Sequence, residues 1–256
     1  MKAILTDTTK CIGCRECVIA CKSTYNLEPE IPRRWAKDDG LSANNWTSIV
    51  PRPGDKYVRK QCRHCEEPAC VSACPVGALT KTAQGAVVYD SHKCMGCRYC
   101  MMACPYGIPR YDWDEPVPYI RKCILCYDKI KVGEQPSCTA ACPTGATIFG
   151  DRDELLQEAH RRIQENPELY IDRVWGEKEI GGSSVLYISD TDLSFLTYNQ
   201  PLGEKPVPKR TEAAMNSVPY AFVGMGSLMA GISWVVGRRM KLQQDNSAQK
   251  EEPGDE

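Results

Sequence analysis

The chain has 256 residues, room for one large domain or two small ones with additions, and its 32 basic and 33 acidic residues leave a net charge of −1. That balance excludes a strong pull toward nucleic acid or anionic lipid. Sixteen cysteines, set against three phenylalanines, are the compositional outlier.

Taken in order, the N-terminus MKAILTDTTK carries neither an apolar h-region nor a twin-arginine signal, so nothing in it is expected to direct export. The first cysteine run follows, at Cys11, Cys14, Cys17 and Cys21. Residues 22–61 hold Pro29, Pro32, Trp35, Trp46, Pro51 and Pro53, a proline density that predicts an irregular packed insertion. The second run is Cys62, Cys65, Cys70 and Cys74, and the third is Cys94, Cys97, Cys100 and Cys104. Between them, PVGALTKTAQGAVVYDSHK predicts a turn, a bend and a short strand at 86–89. The fourth run is Cys123, Cys126, Cys138 and Cys142. Prolines 75, 105 and 143 follow the last cysteine of runs two, three and four.

Residues 151–166 predict a helix with Asp151 and Glu154 as a capping box. Leu155, Leu156, Ala159 and Ile163 share one face, and His160 lies on the solvent side. Residues 167–212 read as mostly irregular, with one strand at 185–189 and a turn at GGSS, 181–184. Residues 215–237 run for 23 residues without a charge, and about 20 suffice to cross a hydrocarbon core. This predicts a transmembrane helix. Its small residues Gly224, Gly226, Ala230 and Gly231 suit packing on another membrane helix. Arg238, Arg239 and Lys241 border it more closely than Lys205, Lys209 and Arg210, which favours a cytoplasmic C-terminus. Residues 238–256 read as a polar tail, with KLQQDNSAQKEEPGDE at 241–256 expected to be disordered.

Three chemistries compete for the cysteines. A disulfide framework needs an oxidising compartment and usually a short secreted chain. Zinc ribbons use separated C-x2-C pairs. The first and third runs instead match C-x2-C-x2-C-x3-C, the bacterial ferredoxin spacing. The second run widens the middle gap to four residues and the fourth widens it to eleven. Two-residue gaps let a tight loop wrap three corners of a four-iron cube, and Gly13 and Gly96 permit the close approach. In two-cluster ferredoxins the last cysteine of a run ligates the other cube. Each run is therefore incomplete alone, and four runs can pair in three ways.

Only 19 residues separate Cys74 from Cys94, so the second and third runs are paired, leaving the first with the fourth. Cluster one then takes Cys11, Cys14, Cys17 and Cys142. Cluster two takes Cys62, Cys65, Cys70 and Cys104. Cluster three takes Cys94, Cys97, Cys100 and Cys74. Cluster four takes Cys123, Cys126, Cys138 and Cys21. Four oxidised cubes at −2 each would carry the formal charge from −1 to about −9. Lys10, Arg15, Lys22, Lys60, Arg63, Lys93, Arg98, Arg121 and Lys122 flank the cysteines and read first as solvated surface.

The expected fold is α+β. Two fused bacterial-ferredoxin-like units are formed by 1–21 with 111–150, and by 62–110. The insertion 22–61, an extension over 151–212, the transmembrane helix and the tail complete the chain. No nucleophile elbow, nucleotide motif or open metal site is evident, so no catalytic residue is assigned. His64 and His92 sit beside cysteines and are expected to hydrogen-bond or meet water.

The runs KCIGCRECVIAC at 10–21, RKQCRHCEEPACVSACPVGAL at 59–79, KCMGCRYCMMACPYGIPRY at 93–111 and KCILCYDKIKVGEQPSCTAACPTGATIFG at 122–150 carry a resemblance. The chain resembles the iron–sulfur beta subunit of membrane-bound, formate dehydrogenase-type molybdenum or tungsten enzymes. It is also similar to the iron–sulfur subunit of hydrogenase-2-type complexes and, more distantly, of dimethyl sulfoxide reductases. The third run and residues 57–79 look hydrogenase-like, and the fourth looks more like formate dehydrogenase. The resemblance implies four [4Fe–4S] clusters in a non-catalytic electron-transfer subunit. It implies a catalytic molybdenum, tungsten or hydrogenase subunit on one side. On the other it implies an integral membrane subunit, a b-type cytochrome or a haem-free quinone-binding protein. A beta subunit of this kind can lack a signal and be exported folded with a signal-bearing partner; the missing signal fits that route and equally fits a cytoplasmic-facing complex. With the flanking basic residues, the expectation is a single-pass inner-membrane protein with a periplasmic cluster domain, and the charge balance gives no nucleic-acid partner.

Overall fold

The computed structural model describes residues 1–27, 39–113, 119–197 and 202–248, with side chains to 244. Pro29, Pro32 and Trp35 of the insertion and residues 249–256 of the tail lie outside the described residues. The chain divides into two units, Met1–Pro208 and Lys209–Glu256.

In the first unit, strand β1 (Lys2–Asp7) is buried along nearly its whole length because it is the middle of a three-stranded sheet. It runs antiparallel to β8 (Thr147–Asp151), with Ile4 opposite Phe149, and parallel to β9 (Val185–Ile188), with Leu5 opposite Leu186. Side chains alternate across a strand, so β1 serves two cores. Ala3 and Leu5 pack with Leu155, Ala159 and Ile163 of helix α6 (Arg152–Glu165). Ile4 faces the other way and packs with Cys17, Leu125, Cys138 and Tyr187. The sheet thus stands between a helix and the cysteine-bearing loops.

The loops are short and repeat one plan. Asp7 and Asp90 each accept a hydrogen bond from the second residue onward, Thr9 and His92, capping a single 3-10 turn that delivers Cys11 and Cys94. Short helices then present later cysteines: α1 (Glu16–Tyr25), α2 (Ala69–Ser72), α3 (Tyr99–Ala103), α4 (Tyr127–Lys131) and α5 (Ser137–Ala140). Hairpin β4 (Leu79–Lys81)/β5 (Val87–Tyr89) joins the second run to the third, and β6 (Arg110–Tyr111)/β7 (Ile120–Arg121) leads into the fourth.

Four expectations are corrected. The insertion is not irregular throughout: α1 extends to Tyr25, and Thr47–Arg52 (β2) pairs with Lys56–Gln61 (β3) in a six-residue antiparallel ladder. Pro51 is tolerated there because the sheet has only two strands and both are edges. The capping box does not form: Asp151 occupies the N-cap position, but its carboxylate accepts from Lys2 Nζ at 2.9 Å. His160 is partnered rather than simply solvated, its ring lying 3.3 Å from Glu177. The tail is helical as far as Ala248.

The second unit is helix α7, Glu212–Ala248, 37 residues long. Its apolar stretch has a mean hydropathy of 1.4, and its large apolar side chains are exposed. Pro219 lies inside it.

Candidate metal centres

All sixteen cysteines are free thiols, so no disulfide framework exists. The structure gathers them from distant stretches of sequence. Cys11, Cys14, Cys17 and Cys142 line one cavity of about 380 Å³ of empty space, partly open to solvent. Cys21, Cys123, Cys126 and Cys138 line a second, of about 330 Å³. Cys74, Cys94, Cys97 and Cys100 line a third, of about 310 Å³. Cys62, Cys70 and Cys104 all act electrostatically on Cys65, which makes the remaining quartet. Among the described residues no three His, Cys, Asp or Glu side chains converge as a single ion requires. The thiols surround space instead.

The wrapping loops explain how. In the first C-x2-C pair of each run the residue before the second cysteine is left-handed: Gly13 at φ +70°, His64 at +50°, Gly96 at +73° and Leu125 at +61°. That conformation turns the main-chain N–H inward. Gly96 N–H approaches Cys94 Sγ at 3.4 Å, and Leu125 N–H approaches Cys123 Sγ at 3.4 Å. A Cβ on Gly13 would lie 2.7 Å from the Tyr57 ring, so glycine is required there for space as well as for φ. His64 and Leu125 tolerate the same backbone because they are fully buried and held by tertiary contacts. Behind the last cysteines, Gly77, Gly107 and Gly145 close identical turns onto the carbonyls of Cys74, Cys104 and Cys142.

Charge behaves as the donor set demands. Burial pushes the Cys21 and Cys70 thiols up to about 12, and pushes Cys65 and Cys123 far up as well. Burial also raises Cys74, but the N–H groups of Leu79, Val76, Ala78 and Gly77 outweigh it and hold that thiol below the ordinary range. Crowded buried thiols ionise together only around cationic metal. The donor set, four sulfurs and no oxygen or nitrogen, suits iron–sulfur ligation.

The quartets also lie close to one another in a row. Cys17 of the first shares a buried cluster with Cys138 of the second and feels its charge. Cys123 packs on the cluster that contains Cys62 and feels its charge, and Cys70 shares a cluster with Cys100 of the last and feels its charge.

Several side chains at these sites escape notice in the sequence. Arg59 is 2% exposed and lines both the Cys11 and the Cys21 cavities. Tyr25 and Trp46, tilted against each other at 4.8 Å, line the latter, which gives the insertion a part in the site. Lys81 Nζ ties the carbonyls of His64 and Gly85 together at 2.8 Å each. Lys122 and Arg63, expected on the surface, are buried. Lys122 donates to the carbonyls of Val87 and Cys123, and the Arg63 guanidinium stacks 3.9 Å over the Tyr187 ring. His64 is buried and its Nδ1 accepts from Val87 N–H at 2.8 Å, so burial and the charges of Lys122 and Lys81 keep it neutral.

Two family models described as 4Fe-4S dicluster domains match residues 10–78 and 55–152. The hydrogenase-2 operon protein HybA of Escherichia coli O157:H7 is 34% identical over 93% of this chain and 84% of its own length. The iron–sulfur subunit of nitrate-inducible formate dehydrogenase of Escherichia coli K12 is 36% identical over 73% of this chain and 67% of its own. The B subunit of the anaerobic dimethyl sulfoxide reductase of the same strain is 40% identical over 59% and 74%. The chain therefore belongs to the 4Fe-4S dicluster family of iron–sulfur electron-transfer subunits.

Proposed function

We propose that the chain holds four [4Fe–4S] clusters and carries electrons between a catalytic subunit and a membrane quinone-reactive subunit. The carrying observation is the row of four adjacent all-thiol quartets. When bound, each cluster takes up and gives back one electron at a potential set by charge and hydrogen bonds around its sulfurs. Cys11, Cys14, Cys17 and Cys142 hold cluster one. Cys62, Cys65, Cys70 and Cys104 hold cluster two. Cys74, Cys94, Cys97 and Cys100 hold cluster three. Cys21, Cys123, Cys126 and Cys138 hold cluster four. The proximity of the quartets supports the order one, four, two, three. The protein's own part is to fix the thiols on short helices and left-handed loops, to aim main-chain N–H groups at the sulfurs, and to exclude water with Leu79, Leu125 and Ile120.

Two fused ferredoxin-like units account for the pairing, one from 1–21 with 111–150 and one from 62–110. Formate dehydrogenation is the first choice for the catalytic partner, since a relative bears that name. A hydrogenase partner is the alternative, favoured by the longer match to HybA. Helix α7 anchors the chain in the inner membrane and packs through Gly224, Gly226, Ala230 and Gly231 on the membrane subunit, with a cytoplasmic C-terminus and a periplasmic cluster unit. Anaerobic purification with iron counting and a redox titration by electron paramagnetic resonance tests the reading. About sixteen irons per chain in four centres is expected. Zinc, or far fewer irons, overturns it.

A further inference from the structure

We propose that Arg59 is a shared cation of two neighbouring cluster sites, raising the reduction potentials of clusters one and four together. The inference rests on the four-cluster reading and concerns a residue outside the ligand set.

Geometry carries it. Arg59 lies on β3, three residues before the second run, and its side chain reaches into the body of the unit. It lines the cavity of Cys11, Cys14, Cys17 and Cys142 and also that of Cys21, Cys123, Cys126 and Cys138. Two of its three nitrogens are anchored by neutral groups of the same hairpin. Nε donates to Thr47 Oγ1 at 3.0 Å and Nη2 donates to Gln61 Oε1. Nη1 is buried and has no protein partner. Among the described residues no carboxylate pairs with this guanidinium.

A buried arginine without a carboxylate is costly, and such charges persist where something nearby compensates them. The candidates on all sides are sulfurs. Burial would push the guanidinium down, but Cys138 and Cys17, with Tyr187 and Cys123, more than offset it and hold the group firmly protonated. Arginine suits the place because its charge is permanent and its fork serves two anchors at once. A cluster gains negative charge on reduction, so a fixed cation beside it favours the reduced form. One cation beside two clusters moves both potentials in the same direction. The pair at this end of the row is then raised relative to the clusters beyond the reach of Arg59, with little change in the difference between the two.

The test compares redox titrations of the purified holoprotein with Arg59→Gln and Arg59→Lys. Gln is expected to lower two of the four potentials, shifting each one-electron reduction equilibrium by at least tenfold, about 59 mV. The cluster of Cys74, Cys94, Cys97 and Cys100 serves as the internal control and stays put. Lys, which keeps the charge, is expected to restore both values to within a threefold change. Should the Gln variant lose iron, Gln61→Glu replaces it. That carboxylate would pair with Nη2, cancel the field in place and lower the same two potentials. Unchanged potentials in an iron-replete variant overturn the inference, as do equal shifts of all four or a Lys variant that behaves like Gln. A wild-type chain lacking four centres overturns the underlying reading instead, so the two failures are distinct.

Discussion

The hydroxyl of Tyr187 donates to the main-chain carbonyl of Arg59 at 2.9 Å, tying strand β9 of the N-terminal sheet to the β2/β3 hairpin. Tyr187 is fully buried, and its ring also carries the Arg63 guanidinium. Tyr187→Phe keeps the ring and removes only the donor. It is expected to cost about 1 kcal/mol of unfolding free energy at unchanged iron content, measured by anaerobic thermal unfolding.

Cys21→Ala tests the crossing of ligands between runs. It lines one cavity with Cys123, Cys126 and Cys138, while Cys11, Cys14 and Cys17 line another. The variant is expected to lose or convert the centre of Cys123, Cys126 and Cys138 while the centre of Cys11 stays intact. Resonance spectra and iron content decide it, and loss confined to the Cys11 centre would refute the assignment.

Gly13→Ala is expected to weaken iron retention at the Cys11 site first. A left-handed alanine costs about 1–2 kcal/mol, and its Cβ would meet the Tyr57 ring at 2.7 Å. Adding Tyr57→Ala should recover the steric part and leave the backbone part, visible as partial return of bound iron.

Asp39 joins two separate segments, its carboxylate meeting Arg110 at 2.6 Å and Lys60 at 2.9 Å. Burial raises its pKa, but Arg110 and Lys60 outweigh it and leave the carboxyl below its ordinary 3.8. A depressed carboxylate contributes stability above the unfolded value, and that contribution fades as pH falls through the folded one. Asp39→Asn should therefore cost about 1–2 kcal/mol, by a margin that stays constant from about pH 8 to pH 5. Chemical denaturation at several pH values checks both the size and the flatness.

Leu228→Arg places a charge midway along the apolar stretch of α7. At the centre of a bilayer that costs about 3 kcal/mol, so carbonate-resistant membrane association is expected to fall. Ending the chain after Arg210 should release a soluble, iron-replete first unit. Unchanged membrane association of the truncated chain would point to an anchor elsewhere.

The sixteen cysteines are legible because their spacing is local and chemically specific, and the 19-residue link between runs two and three is short enough to suggest their pairing. The β2/β3 hairpin is not, because Pro51 and Pro53 mask a strand whose two-stranded setting tolerates them. Asp151 has the residue type and position of a cap, yet Lys2, distant in sequence, takes its carboxylate. Arg59 is invisible for a related reason. In KYVRKQ its charge argues for solvent, and only the sulfurs brought in from the first and fourth runs make burial intelligible. A faint signal is present in the alternation, since Arg59 and Gln61 share the inward face of β3.

Strand β1 lies between β8 and β9, and the Cys11 cavity is lined on its far side by Cys142. Residues that leave the ribosome early are thus among the last to be enclosed. A nascent polypeptide that has reached Cys104 already owns two complete quartets, but the thiols of the first run still wait for their fourth member. Under the ligand assignment proposed above, loading at that end follows synthesis of the fourth run, and interrupted translation would leave those thiols as bait for oxygen and stray metals.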